Sequence, residues 1–406
     1  MKKLIYIILI FSFPISVNCQ WFSQASGTSR HLFGLDVVNE NVVYCAAQQG
    51  ENVKTTNGGI TWYSITPPVL DNYGGCSFIN PDTGIFVGPP GQLIRTTDGG
   101  ASWTVIYHQL SGLRNVQFVN SNWVYACGTS AIIRSTDSGL SWSMLQNFNY
   151  GIANLYFTDS LTGTIVGSLG FIATTSNGGT NWTQRYMMLP VQFADSTLYS
   201  LQFVNSLTGY ISGNLGIFVK TTNGGINWNY IPSGTIALLQ AIYFTSENVG
   251  VYVASAGRIY KTTNGGNNWM QQNSGTTDPL RGVEFINENT GWVCGFNGRI
   301  LKTTNGGSTW IQPINSELPN GYKLEQNFPN PFNPSTDIKF SIPKNGLVKL
   351  TVYDMLGKEI SVLVNEKMGA GNYKVSFDGS NCPSGTYFYK LVADGFSTVK
   401  RMVILK

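Results

Sequence analysis

Asp36 and Glu284 are the residues whose types and placement could do acid–base chemistry. They hold the same position in the first and last copies of an internal repeat, so closing the repeats into a ring would set them side by side. Two carboxyl groups roughly 6.5–9.5 Å apart can hydrolyse a glycosidic bond with inversion, one protonating the leaving oxygen while the other activates water. The matching positions of the other copies hold Ser77, Gln117, Tyr156, Gln202 and Tyr243, an ordinary polar set. The pair is therefore a secondary candidate, and a protein without catalytic activity is the first expectation. His31 and His108 are the only histidines, too few for a multi-histidine zinc site and poor material for a serine–histidine triad. Neither metal nor cofactor is expected.

The elements that would position such residues are written in the repeat. "KTTNGGITW" at residues 54–62 returns six more times in close copies, and the tryptophans Trp62, Trp103, Trp142, Trp182, Trp228, Trp269 and Trp310 are spaced 41, 39, 40, 46, 41 and 41 residues apart. A period near forty with several strands per unit marks a propeller or solenoid. One unit, "LYSLQFVNSLTGYISGNLGIFVKTTNGGINW", reads as an alternating strand, a turn, a second and a third strand, a Gly-rich turn, and a fourth strand opened by Trp. Four short strands per forty residues make one propeller blade. In the Gly-rich turn, Asn57, Asp98, Asp137, Asn177, Asn223, Asn264 and Asn305 can accept hydrogen bonds from the amides of their own turn. The residue two positions on is Gly in all seven copies, where it supplies a backbone angle other residues resist, and the Trp covers the turn with its ring. These residues are predicted to be architectural.

Comparing the copies separates uniform turns from variable ones. Connections after the first and third strands are uniform, whereas those after the second and fourth vary, and both variable sets fall on one face of a propeller. Loops on a rigid scaffold are where binding residues concentrate. The candidate ligand face therefore comprises Tyr73, Tyr107, Phe148, Tyr150, Tyr186, Met187, Phe193 and Tyr199, an aromatic set suited to a glycan or a protein. The bland alternative is that several of them pack beneath their own loops. Lys54, Arg95, Arg134, Lys220, Lys261 and Lys302 precede the turn in six copies; they could grip an anionic polymer, but stems laid on apolar surface with solvated heads are the expectation.

Seven such turns raise a question of closure. "WFSQASGT" at residues 21–28 resembles "WMQQNSGT" at 269–276, so the Gln20–Ala25 segment is expected to join the last blade, either displacing the Trp310 strand or adding outside it. The sequence leaves that choice open. Residues 20–316 are read as the propeller, 317–335 as a linker and domain entry, and 336–406 as a small antiparallel Ig-like β-sandwich, because six alternating segments there are separated by turns. The fold class is all-β.

Composition agrees with an exported chain: only 11% of the 406 residues are charged and 46 are Gly. Residues 1–19 read as a secretory signal peptide, with two lysines, a short apolar run and cleavage before Gln20. Acylation at Cys19 would need to accept Asn18 at a position usually held by a small residue. No other stretch is apolar enough to span a membrane. Residues 20–316 carry 12 basic and 13 acidic residues, which offers no electrostatic case for nucleic acid. A monomer is expected. Cys45, Cys127 and Cys294 align at one second-strand position, which keeps them in separate blades, so buried free thiols are expected rather than disulfides.

The turn motif, T-x-[ND]-x-G-x-x-W in most copies, resembles the Asp-box or bacterial neuraminidase repeat. With "FVNSLTG" and "GRILKTTNGG" residues 20–316 resemble the propellers of the photosystem II stability and assembly factor group. That resemblance implies a seven-bladed propeller and says little about function. "QNFPNPFNPSTDIKFSIP", "VKLTVYDMLGKEI", "SGTYFYKLVADG" and "KRMVILK" resemble the type A C-terminal sorting domain of the type IX secretion system. This implies passage through the periplasm, handling by that machinery, and a secreted or cell-surface location, with the domain usually removed. The combined expectation is an exported binding or interaction module for a glycan or protein ligand. A glycoside hydrolase and a structural surface protein are the alternatives.

Overall fold

The computed structural model describes residues 21–107, 112–186, 193, 196–307, 312–315, 318–379 and 382–405. Contacts divide the chain into two compact units, Gln20–Thr309 and, on the C-terminal side, Trp310–Lys406.

Seven four-stranded antiparallel sheets form the first unit. Blade one shows the pattern: Leu32–Val37, Val43–Ala47, Val53–Thr55 and Tyr63–Ser64 run from the ring's centre outward. The second strand of every blade is buried along its whole length, as a strand covered on both faces must be, and successive residues face opposite neighbours. Thus Tyr44 and Ala46 pack into the core shared with blade two, whereas Cys45 packs into the core shared with blade seven. The first strand of blade seven, Leu280–Phe285, lies against that of blade one, and the ring closes.

Closure is made by the N-terminal segment. Phe22–Ala25 pairs antiparallel with Arg299–Thr303 and supplies the outer strand of blade seven. Trp21, fully buried, packs edge-on to Phe285 at 5.7 Å and takes the tryptophan's place over the last turn. Trp310 lies outside the described residues. Its strand loses for a chemical reason. Three residues after the tryptophan, the backbone N–H pairs with the third strand in the regular blades, as Ile65 does to Asn52 O at 2.8 Å and Ile231 to Phe218 O at 2.9 Å, blade three having a bulge there. Trp310 is followed at that position by Pro313, which has no N–H, whereas Trp21 is followed by Gln24, whose side chain also accepts from Trp62 Nε1 at 3.0 Å.

The displaced segment, Gln312–Asn315, instead pairs with Gly371–Asp378 in the second unit. The propeller therefore ends before residue 316, and the expected linker holds a short strand of its own, Lys323–Leu324. Two antiparallel four-stranded sheets enclose one core there, with Ile338, Val348, Leu350, Val352, Tyr389 and Leu391 fully buried.

Candidate functional site

The innermost strand of each blade exposes one row of backbone N–H groups toward the channel, and each buried group needs a partner. The position that includes Asp36 and Glu284 supplies it. Glu284 Oε2 accepts from Val37 N–H at 3.0 Å, and Asp36 Oδ2 from Phe78 N–H at 2.8 Å. Ser77 Oγ accepts from Phe118 N–H at 3.0 Å. Gln117 and Gln202 each clasp the next blade twice, through Phe157 N–H at 2.7 Å and O at 3.0 Å, and through Phe244 N–H at 2.6 Å and O at 3.1 Å. Tyr156 and Tyr243 instead set tilted rings against Phe203 and Phe285, both at 6.1 Å. The two carboxyls are thus members of a belt that ties every blade to the next. Both residues are partly exposed, yet protein surrounds their carboxyls closely. Burial pushes Asp36 up to about 7. Burial and then the charge of Asp36 hold Glu284 well above the usual carboxylate range.

The repeated turn is self-contained. Thr55 Oγ1 donates to Asn57 Oδ1 at 3.0 Å and accepts from Gly59 N–H at 2.9 Å, while Asn57 Oδ1 accepts from Thr61 N–H at 2.9 Å. Asp98, Asp137, Asn177, Asn223 and Asn264 repeat the last bond at 2.8–3.0 Å; for Asn305 the Thr303 bond at 2.9 Å is described. Blade three departs from the motif by placing Ser138 at φ 63° where the other copies have Gly. Four of the six basic residues before the turn, Lys54, Arg95, Arg134 and Lys302, reach protein oxygens rather than ending in water as expected. Lys302 Nζ donates to Gly58 O at 2.7 Å, Lys54 Nζ to Gly99 O at 2.6 Å and Arg134 Nη1 to Gly178 O at 2.8 Å, each locking the next blade's turn.

On the variable face the aromatic candidates divide. Tyr73, Phe148 and Phe193 are buried, which corrects their expected exposure. Tyr73 packs on Phe86 at 6.0 Å, Phe148 on Phe171 at 5.4 Å and Phe193 on Tyr230 at 5.4 Å; a ring that fills its own loop's core cannot present itself to a ligand. Tyr150 is half-buried and stacks on Phe171 at 4.9 Å. Tyr199 is half-buried at the channel mouth. The side chains of Tyr107 and Tyr186, and all of Met187, lie outside the described residues.

The structure adds residues that the loop comparison passed over. In six blades the first strand carries a bulge at its variable-face end, with one extra residue: Phe33, Arg114, Ala153, Tyr199, Gln240 or Arg281. Bulges re-aim side chains and recur beside binding sites. The Arg281 guanidinium lies 4.7 Å from the centroid of the Phe296 ring, and its Nη1 donates to Gln240 Oε1 at 2.7 Å. Its Nε is buried and has no hydrogen-bond partner among the described residues. His31 stacks on Phe296 at 4.0 Å, with Phe33 edge-on to both rings at 6.3 Å. Arg114, across the ring in blade three, is exposed and makes no hydrogen bond or ion pair among the described residues. The sequence held one signal for this set: the column before it is uniformly apolar or aromatic, Leu32, Tyr73, Leu113, Ile152, Leu198, Leu239 and Leu280, while the bulge column varies freely.

The family comparisons give each unit its place. Residues 146–282 match the model described as photosynthesis system II assembly factor YCF48, and residues 326–405 match that of the secretion system C-terminal sorting domain. The chain carries a YCF48-like segment within its propeller and a type IX secretion sorting domain at residues 326–405. Among solved structures, YCF48 bound to D1 peptide is similar with a TM-score of 0.61 at 20% identity, covering 70% of this chain and 97% of that one. YCF48 from Cyanidioschyzon merolae gives 0.59 at 18% identity, covering 70% and 98%. PorZ, a surface component of the type IX secretion system of Porphyromonas gingivalis, gives 0.56 at 10% identity, covering 92% of this chain and 59% of PorZ. At these identities the likenesses establish the fold. No curated protein matches the chain. The sorting domain makes this a protein handled by the type IX machinery and delivered to the outer surface or the medium. Among the described residues no helix is long and apolar enough to cross a membrane, and no group of three His, Cys, Asp or Glu side chains is placed to hold a metal ion.

Proposed function

We propose that the propeller is an exported, non-catalytic binding module that takes an extended protein segment with an acidic group at the variable-face mouth of its channel. The observation that carries this reading is Arg281: a half-buried guanidinium set against Phe296 by a strand bulge at the variable-face end of the first strand. Such an arrangement suits a carboxylate, which Arg binds through two N–H donors, with flat apolar surface beside it. A YCF48 propeller has been seen with a bound peptide, which supports a protein ligand over a glycan. The belt bonds of Asp36 and Glu284 support a module that does no chemistry, because both carboxylates already serve backbone N–H groups.

The test is binding of the full chain to immobilised peptides with free or amidated C-termini and to an array of acidic and neutral glycans. Acidic peptides should bind, with Arg281→Ala and Arg114→Ala weakening them. Binding to neutral glycans alone would favour the glycan reading, and release of reducing sugar would revive the hydrolase.

A further inference from the structure

We propose that Cys45 and Cys294 form a modification site: a disulfide that staples the first blade to the last. The two cysteines differ by one place in register. Cys45 is the third residue of Val43–Ala47, whereas Cys294 is the fourth of Gly291–Gly295, as is Cys127 in Val124–Gly128. The alignment of all three at one position is therefore corrected; Cys45 and Cys294 are buried free thiols in the structure, as expected, but the corrected register turns them toward each other. Because alternate residues of a buried strand face opposite blades, Cys45 points back toward blade seven and Cys294 points forward toward blade one. They meet in one core together with Trp292 and Leu35.

The surroundings favour close approach. Cys294 Sγ lies 3.8 Å from Gly34 O on blade one. A glycine holds the inner strands of the two blades near one another: a Cβ on Gly282 of blade seven would stand 3.2 Å from Leu35 Cβ of blade one. The Cys45 thiol is raised by burial and by the Cys294 thiol beside it. Cys127 faces Ile165 in its own core, and Cys76 turns its Sγ toward Tyr44 O at 4.0 Å. The chain is exported, and disulfides persist in such compartments.

Both thiols are fully buried in the closed ring, and neutral thiols are poor nucleophiles, so oxidation belongs to the moment of closure, before the seam is shut. A dithiol–disulfide oxidant of the periplasm supplies the balance: the two thiols lose two protons and two electrons, one S–S bond forms between Cys45 and Cys294, and the oxidant's disulfide is reduced to two thiols. The bond would close a loop covering most of the propeller.

The full chain is exported or refolded in oxidised and reduced glutathione, denatured without reductant, alkylated, and mapped by mass spectrometry. A Cys45–Cys294 linked peptide is expected, with Cys76, Cys127 and Cys382 alkylated. Reductant should lower the melting temperature by several degrees, and the Cys45→Ala/Cys294→Ala variant should have lost that response. Should that variant not fold, the wild-type peptide map decides alone. Alkylation of both Cys45 and Cys294 in denatured, unreduced protein, or a link from either to Cys76, overturns the proposal.

Discussion

Trp21 Nε1 donates to Gln272 Oε1 at 2.9 Å across 251 residues of sequence. This buried bond joins the outer strand of blade six to the tryptophan that closes blade seven, and the next blade repeats it through Gln24 and Trp62. Trp21→Ala should cost about 3–5 kcal/mol, the usual range for deleting a buried aromatic side chain. Denaturant unfolding monitored by circular dichroism measures it, and a cost under about 1 kcal/mol would mean that another strand can close the ring.

Asp36 and Glu284 make the seam respond to pH. Both have folded pKa values above their unfolded ones, so their contribution to stability is complete below the unfolded pKa near 4 and is lost as pH rises through the folded pKa, about 7 for Asp36. Asp36→Asn keeps an oxygen for the Phe78 N–H and removes the charge. It should raise stability at pH 8 by on the order of 1 kcal/mol or more, since one pKa unit corresponds to about 1.4 kcal/mol, and change little at pH 4. A melting profile from pH 4 to 8 that is identical in wild type and variant contradicts this.

The repeated turn should behave as a neutral clip. Asn57→Ala removes the acceptor for Thr61 N–H and should cost about 1 kcal/mol. Asp98→Asn should fold normally, because five of the seven copies use Asn already. A chelator should leave the melting temperature unchanged; a drop restored by calcium would reassign the turn as a metal site.

At the mouth, Arg281→Ala should weaken binding of an acidic peptide by tenfold or more, while Arg281→Lys recovers part of it as a point charge without the fork. Added salt should weaken wild-type binding more than that of Arg281→Ala. Equal salt dependence in both proteins, measured by fluorescence anisotropy, would move the site elsewhere.

Much of the architecture was legible because it is local. Asn57 bonds within its own turn, glycines at positive φ are required there, and period-two alternation marks each strand, so the seven repeats announce their blades and the final alternating segments announce a second β unit. The address for export is equally linear, since its motifs are read in order. What required tertiary structure is whatever depends on which face meets which neighbour. The shared repeat position of Asp36 and Glu284 was legible, but the next blade's N–H groups that each carboxyl accepts from appear only in the closed ring. Tyr73 and Phe148 resembled a binding surface until their own cores claimed them. A single step of register turned Cys45 and Cys294 toward each other, and Pro313, present in the sequence throughout, acquired meaning only once its missing N–H could be set against a defined ladder. Strand chemistry is encoded residue by residue, but ring closure places residues hundreds of positions apart in contact, and only the closed ring determines what each polar group has left to offer a ligand.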